Sequence, residues 1–119
     1  MRPEYRVWDK VHGEMYDWET IKSEFVMRDF ESDDYVWMQW TGLVDKNGRK
    51  VFEGDEIKRY KESIVLGKKT KVEYYQKVIY CEKYAQYLLE EKNGSREHAS
   101  WVSVGEVSGI IYENKRWEM

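Results

Sequence analysis

The sequence predicts an all-β protein, and three observations carry that expectation. Aromatic residues make up 16% of the chain, with six Trp and ten Tyr, and these side chains favour pleated, half-buried surfaces. Short apolar and aromatic runs such as Tyr35–Trp40 and Val104–Tyr112 are separated by breaks that contain Gly. Two Asn-Gly dipeptides, Asn47-Gly48 and Asn93-Gly94, supply turns of the kind that joins hairpin strands. At 119 residues there is room for one ordinary core and hardly for two. A charged fraction of 36% would suit a disordered chain poor in aromatics, but here the aromatic area is sufficient to order the backbone.

Taken in order, Tyr5 to Trp8 and Glu14 to Trp18 are expected to form an N-terminal hairpin that turns at His12-Gly13. Asp17 to Asp34 reads two ways: Ile21, Phe25 and Arg28 fit a helical face, whereas Phe25 and Met27 fit an irregular strand equally well. Tyr35 to Trp40 is an expected buried strand. It leads into TGLVDKNGRKVFEGDEI, Thr41 to Ile57, where a type I′ turn at Asn47-Gly48 and a second break at Glu53-Gly54-Asp55 give strand, turn, strand, turn, strand. Gly67 is expected to turn the following basic segment back on itself. Val78 to Glu90 has spacings that a helix can use, but its tyrosines and the break at Asn93-Gly94 favour strands. Ser100 to Ser103 reads as a turn or single helical turn, Val104 to Tyr112 as a closing strand, and residues 113–119 as a loose tail. Trp8, Trp37, Trp40 and Trp101 are assigned to the barrel core and to the seam where the N-terminal hairpin packs.

Charge is unevenly spread. Residues 1–57 hold fourteen acids and eight bases, residues 58–71 six bases and one acid, and residues 72–119 eight acids and six bases, for a net charge of −3. The lone Cys81 excludes an intramolecular disulfide and a four-thiolate zinc site, and points to a reducing cytosol. No stretch has the apolar length of a signal peptide or membrane span, so a cytoplasmic protein without membrane contact is expected.

Three stretches, YRVWDK at Tyr5–Lys10, MQWTGLVDKNGRKVFEGDEI at Met38–Ile57 and VSGIIYEN at Val107–Asn114, follow one another as signatures do in a known family. The chain resembles the YopX family of small proteins encoded by bacteriophages and prophages of Gram-positive bacteria. Trp40 stands where that family usually has Tyr, Val51-Phe52 replace Ile-Tyr, Ile110 replaces Asn, and Lys115 sits where Pro often follows; none of these removes a turn residue. The resemblance implies an all-β fold with a small, partly open barrel of SH3 type and an appended N-terminal hairpin element. The expected layout is one domain: residues 1–34 the hairpin and a variable segment, residues 35–114 the barrel, residues 115–119 the tail. The resemblance brings no catalytic residue with it.

No catalytic, metal or cofactor constellation emerges from the residues themselves. Gly48 comes fourth after Asp45 rather than sixth, which is wrong for a calcium loop. Glu53, Asp55 and Glu56 offer carboxylates for an acid–base pair, but Gly54-Asp55 is sufficiently explained as turn chemistry, with Asp bonding its own backbone. His12 and His98 lack ligand spacing, and Cys81 in an apolar run reads as a core residue. No enzyme and no cofactor are therefore expected. The expected function is that of a non-enzymatic phage accessory protein acting through contacts with a phage or host protein and through self-association as a homo-oligomer. Trp18, Tyr35 and Trp117 are its candidate interface aromatics, because a core this small cannot hide so many rings. The alternative is a nucleic-acid-binding barrel that uses Lys58, Arg59, Tyr60, Lys61, Lys68, Lys69 and Lys71, where cations beside Tyr60, Tyr74 and Tyr75 suit backbone contact and base stacking.

Overall fold

A computed structural model describes residues 3–118. Strands take 51% of the chain and helix 17%, so the all-β expectation holds with two short helices added. The chain divides into two compact units, Met1–Trp40 and Thr41–Met119. The division falls after Trp40 because Tyr35 to Gln39 pair with the N-terminal hairpin rather than belonging wholly to the barrel.

In the first unit, β1 (Tyr5–Asp9) pairs antiparallel with β2 (Glu14–Tyr16) and with the first part of β3 (Tyr35–Val44). The segment that reads two ways is helical. Asp17 caps α1 (Trp18–Glu24) by accepting the Thr20 amide at 2.9 Å, and the Phe25 amide donates back to the Ile21 carbonyl as the helix stops. Ile21 is buried. A four-residue α2 (Met27–Phe30) follows, its entry held by the Val26 amide donating to Asp29 at 2.9 Å. Phe25 is the hub of the aromatic packing, with ring centroids 5.3 Å from Tyr35, 5.6 Å from Tyr16 and 6.1 Å from Trp37. Edge and tilted contacts of this kind add to plain burial.

In the second unit, β3 continues to Val44 and joins β4 (Lys50–Phe52). A five-stranded antiparallel sheet has the order β8-β7-β6-β5-β9, built from β5 (Asp55–Val65), β6 (Lys68–Cys81), β7 (Gln86–Glu90), β8 (Arg96–His98) and β9 (Glu106–Ile110). It curls into a half-barrel. Val51, Ile57, Val78, Leu89, Val102 and Val107 form the core, with Leu43 and Tyr87 packed against it. Residues 78–81 and 86–90 are strands, as the tyrosines suggest, joined by a turn at 82–85. A 3-10 turn, Ala99–Val104, covers Ser100 to Ser103 and buries Ala99 and Val102.

Three expectations change. Asn47-Gly48 is not a type I′ turn: among the described non-glycine residues only Leu66 and Ala85 have positive φ, so Asn47 stays right-handed and Gly48 alone, at φ 80°, is left-handed. This is the three-residue loop form, closed by Gly48 N to Asp45 O at 3.0 Å and Asp45 N to Arg49 O at 2.9 Å. Its cause is Asp45, whose buried carboxylate accepts the amides of Asn47 and Arg49 on one oxygen and of Val107 on the other, each at 2.9 Å. Trp101 is half exposed rather than in the core, because it sits on the outside of the 3-10 turn whose Val102 faces inward. The tail is anchored rather than loose: Trp117 donates its indole N–H to the buried Glu56 at 2.8 Å, and Arg116 reaches the same carboxylate at 3.2 Å.

Candidate macromolecular interface

The basic segment folds as a ribbon that outruns its sheet. β5 keeps β9 as a neighbour only from Asp55 to Lys58, and β6 keeps β7 only from Lys77 to Cys81. Between those limits β5 and β6 pair with each other alone, through Arg59 opposite Tyr74 out to Val65 opposite Lys68. The free rungs from Tyr60–Glu73 to Val65–Lys68 extend about 17 Å at the usual rise per strand residue. Apart from Ser63, every residue from Tyr60 to Glu73 is exposed.

Antiparallel register fixes which side chains share a face, since directly opposed residues project to the same side. One face carries Lys61, Ser63, Val65, Lys68, Thr70 and Val72, and holds no acid. The other carries Tyr60, Glu62, Ile64, Lys69, Lys71 and Glu73, where two acids balance two bases. At the tip, Leu66 and Gly67 have φ of 53° and 76°, the left-handed pair of a type I′ turn. The type I′ geometry expected at Asn47-Gly48 is found here instead, with a leucine in the place Asn or Gly would fill more easily. A left-handed L-residue costs about 1–2 kcal/mol, and Leu66 is 97% exposed. Ile64 and Val65 beside it are also exposed.

Two of the seven candidate nucleic-acid residues are already engaged. Lys58 pairs with Glu106 at 2.9 Å, and this hydrogen bond is the first cause that pushes its amine up to about 12 and holds Glu106 below the usual carboxylate range. Arg59 is largely buried, bonded to the Glu97 carboxylate and, at 3.1 Å, to Gln76; its guanidinium lies 5.3 Å from the Tyr74 ring and 5.4 Å from Trp101. Both serve the half-barrel. Tyr60 is exposed, with its hydroxyl reaching Glu73 at 3.4 Å, and Lys61 stands 5.0 Å over Tyr74. Among the described residues, Lys68, Lys69 and Lys71 have no carboxylate partner.

The three candidate interface aromatics are half-buried within their own units. Trp18 packs on Tyr5 at 5.6 Å, Tyr35 packs on Phe25, and Trp117 lines a cavity of about 320 Å³ with Tyr75, Lys92 and Arg116. The more exposed rings are Trp101, Tyr84 and Phe30, none of them expected at the surface from the sequence; Tyr84 follows Lys83 in a turn, the one local signal of its exposure. Of the carboxylates weighed for acid–base work, Asp55 accepts the Phe52 amide at 2.7 Å and is wholly buried, Glu56 is bonded to Ser108, Trp117 and Arg116, and burial pushes Glu53 up. His12 bonds Asp9 through Nδ1 at 2.8 Å. Among the described residues no His, Cys, Asp and Glu group is arranged to hold a metal ion, and no helix is long and apolar enough to cross a membrane.

The YopX protein family model matches residues 20–116, from within α1 to the C-terminal 3-10 turn Lys115–Trp117. The chain belongs to the YopX family. Of the three signature stretches, Met38–Ile57 and Val107–Asn114 fall within the YopX match, and Tyr5–Lys10 lies before it. That fold is similar to the crystal structure of protein EF1440 from Enterococcus faecalis, with a TM-score of 0.62 at 21% identity over 99% of both chains. At that identity the likeness concerns the YopX architecture alone. No curated protein matches the chain.

Proposed function

We propose that this YopX-family protein is a non-enzymatic phage or prophage accessory factor, working in the bacterial cytoplasm, that acts by docking its β5–β6 ribbon onto other protein surfaces, its own copies included. The carrying observation is the ribbon tip. Ile64, Val65 and Leu66 are presented to solvent on a projecting two-stranded arm, and Leu66 occupies a backbone conformation unfavourable to it. A turn that breaks both turn chemistry and solubility at one residue has the character of a contact site rather than of architecture. Sedimentation velocity over a wide concentration range tests the self-association: a rising mean mass is expected, and a strict monomer at every concentration would overturn it. Capture from phage-infected host cells with wild-type and Leu66→Asn baits tests the wider reading, which expects partners that the variant bait loses.

A second reading rests on the acid-free ribbon face. Lys61 and Lys68 beside Ser63 and Thr70 suit phosphate contact, and Tyr74 lies on the same face next to the arm. Titration of labelled single-stranded and duplex DNA and RNA at low salt decides it, because phosphate-driven affinity is greatest there. Binding that Lys61→Ala and Lys68→Ala weaken would support this reading; no binding would end it.

A further inference from the structure

The self-association reading leaves open what the ribbon tip docks on, and the N-terminal unit offers a surface of matching character. Val26, Met27 and Phe30 are all exposed, Met27 to 78%. Phe30 follows Met27 by three residues and Val26 by four, which brings it beside each of them across α2. Glu24 precedes these residues in the chain, Glu31, Asp33 and Asp34 follow them, and all four are exposed, as is Arg28 between Met27 and Phe30. From Trp18 to Asp34 the chain holds six acids and two bases, whereas the ribbon from Tyr60 to Glu73 holds four bases and two acids. Each surface therefore exposes an apolar trio, and the net charges of the two segments, −4 and +2, are opposite in sign.

We infer that the ribbon of one copy docks end-on on the α1–α2 edge of a second copy: Leu66 at the tip, with Ile64 and Val65 on its two faces, covers Val26, Met27 and Phe30, and Lys68 on one face and Lys69 and Lys71 on the other meet Glu31 and Asp33. The inference rests on the self-association reading and gives it an address. Burying both trios removes the exposed apolar area that neither keeps covered alone, while the flanking charges set orientation and on-rate more than affinity. Each copy carries one ribbon and one edge, so it can give a ribbon to one copy and receive one from the same copy or from another. Two copies that exchange ribbons close a dimer, and copies that pass them onward form a chain.

Three variants of the full-length protein test this by sedimentation velocity. Lys68→Glu/Lys69→Glu/Lys71→Glu and Glu31→Lys/Asp33→Lys are each expected to weaken self-association at least tenfold, because like charges then face each other. Mixing the two is expected to restore a complex, since every charge again meets its opposite. Leu66→Asn is expected to raise the melting temperature, by relieving the left-handed strain, while lowering association, which separates docking from folding. If the wild-type protein is monomeric, the self-association reading itself fails. If it associates but the reversals leave assembly unchanged, or the mixture does not recover it, this contact is overturned while self-association stands. Ribbon reversal that abolishes nucleic-acid binding without altering assembly also overturns it.

Discussion

Replacing Asp45 with Asn preserves the size of the side chain but removes half of its accepting capacity, and the consequence can be worked from the geometry. One carboxylate oxygen takes the turn amides of Asn47 and Arg49, and the other takes the buried Val107 amide that opens β9. An amide side chain has one accepting oxygen, so either the turn or the Val107 N–H loses its partner and meets an NH2 donor instead. A buried donor left unpaired costs about 1–3 kcal/mol, and bonds to a charged acceptor are worth more than neutral ones, so a loss of about 2–4 kcal/mol is expected. There is also a pH signature. Burial pushes the Asp45 carboxyl up, but the amides of Val107, Arg49 and Asn47 outweigh it and hold the group below its ordinary range. A carboxyl whose folded pKa is depressed stabilises the fold above its unfolded value and loses that contribution as pH falls through the folded one. Urea denaturation at pH 7 and through the acid range is the assay: Asp45→Asn should lower the midpoint at pH 7 and flatten the acid limb. Equal stability of the two proteins at pH 7, or an unchanged acid limb, would refute the reasoning.

Two further outcomes follow from packing and titration. A methyl group at Gly105 would lie 2.7 Å from Ile57 Cγ2 and 2.8 Å from Arg59 Cγ; because Ile57 is fully buried and Arg59 is held by Glu97, Gly105→Ala should destabilise by about 1–3 kcal/mol in urea. In the first unit, the hydrogen bond to Asp9 raises His12 above its ordinary value of 6.5. Burial pushes Asp9 up, but the His12 side chain and the amides of His12 and Val11 outweigh it and hold Asp9 below its usual range. The His12 contribution is full below pH 6.5 and is lost as pH rises through its raised pKa, so the gap between wild type and His12→Gln in urea midpoint should narrow above that point. The gap is small, since the ring is mostly exposed and screened; a gap that widens with pH would contradict the pairing.

Turn positions were legible in the sequence, whereas turn types were not. Asn47-Gly48 marks a hairpin wherever it stands, but which form it takes is decided by the Asp45 carboxylate and its tie to Val107, sixty-two residues away. Leu66-Gly67 carries no turn signature beyond its glycine, so the type I′ geometry at the tip could not be read locally. The basic segment was recognisable as a hairpin. That it projects depends on where β9 and β7 stop, which is a matter of tertiary pairing rather than of pattern. The same dependence explains Lys58 and Arg59: in sequence they belong with the lysines of the ribbon, but Glu106 and Glu97 arrive from strands far along the chain and engage them. Trp101 looked like core because tryptophan usually is, and only the direction of the 3-10 turn shows otherwise.

The ribbon is the proposed docking element, and the most direct measurement removes it. Replacing residues 60–73 with Asn-Gly joins Arg59 to Tyr74, a pair of the same register as the Val65–Lys68 pair that flanks the natural turn, so the half-barrel core is left untouched. Sedimentation velocity on this variant beside the wild-type protein, with melting followed on both, is the test. A folded variant that stays monomeric at concentrations where the wild type assembles is the predicted result. A folded variant that assembles as the wild type does would contradict the central claim.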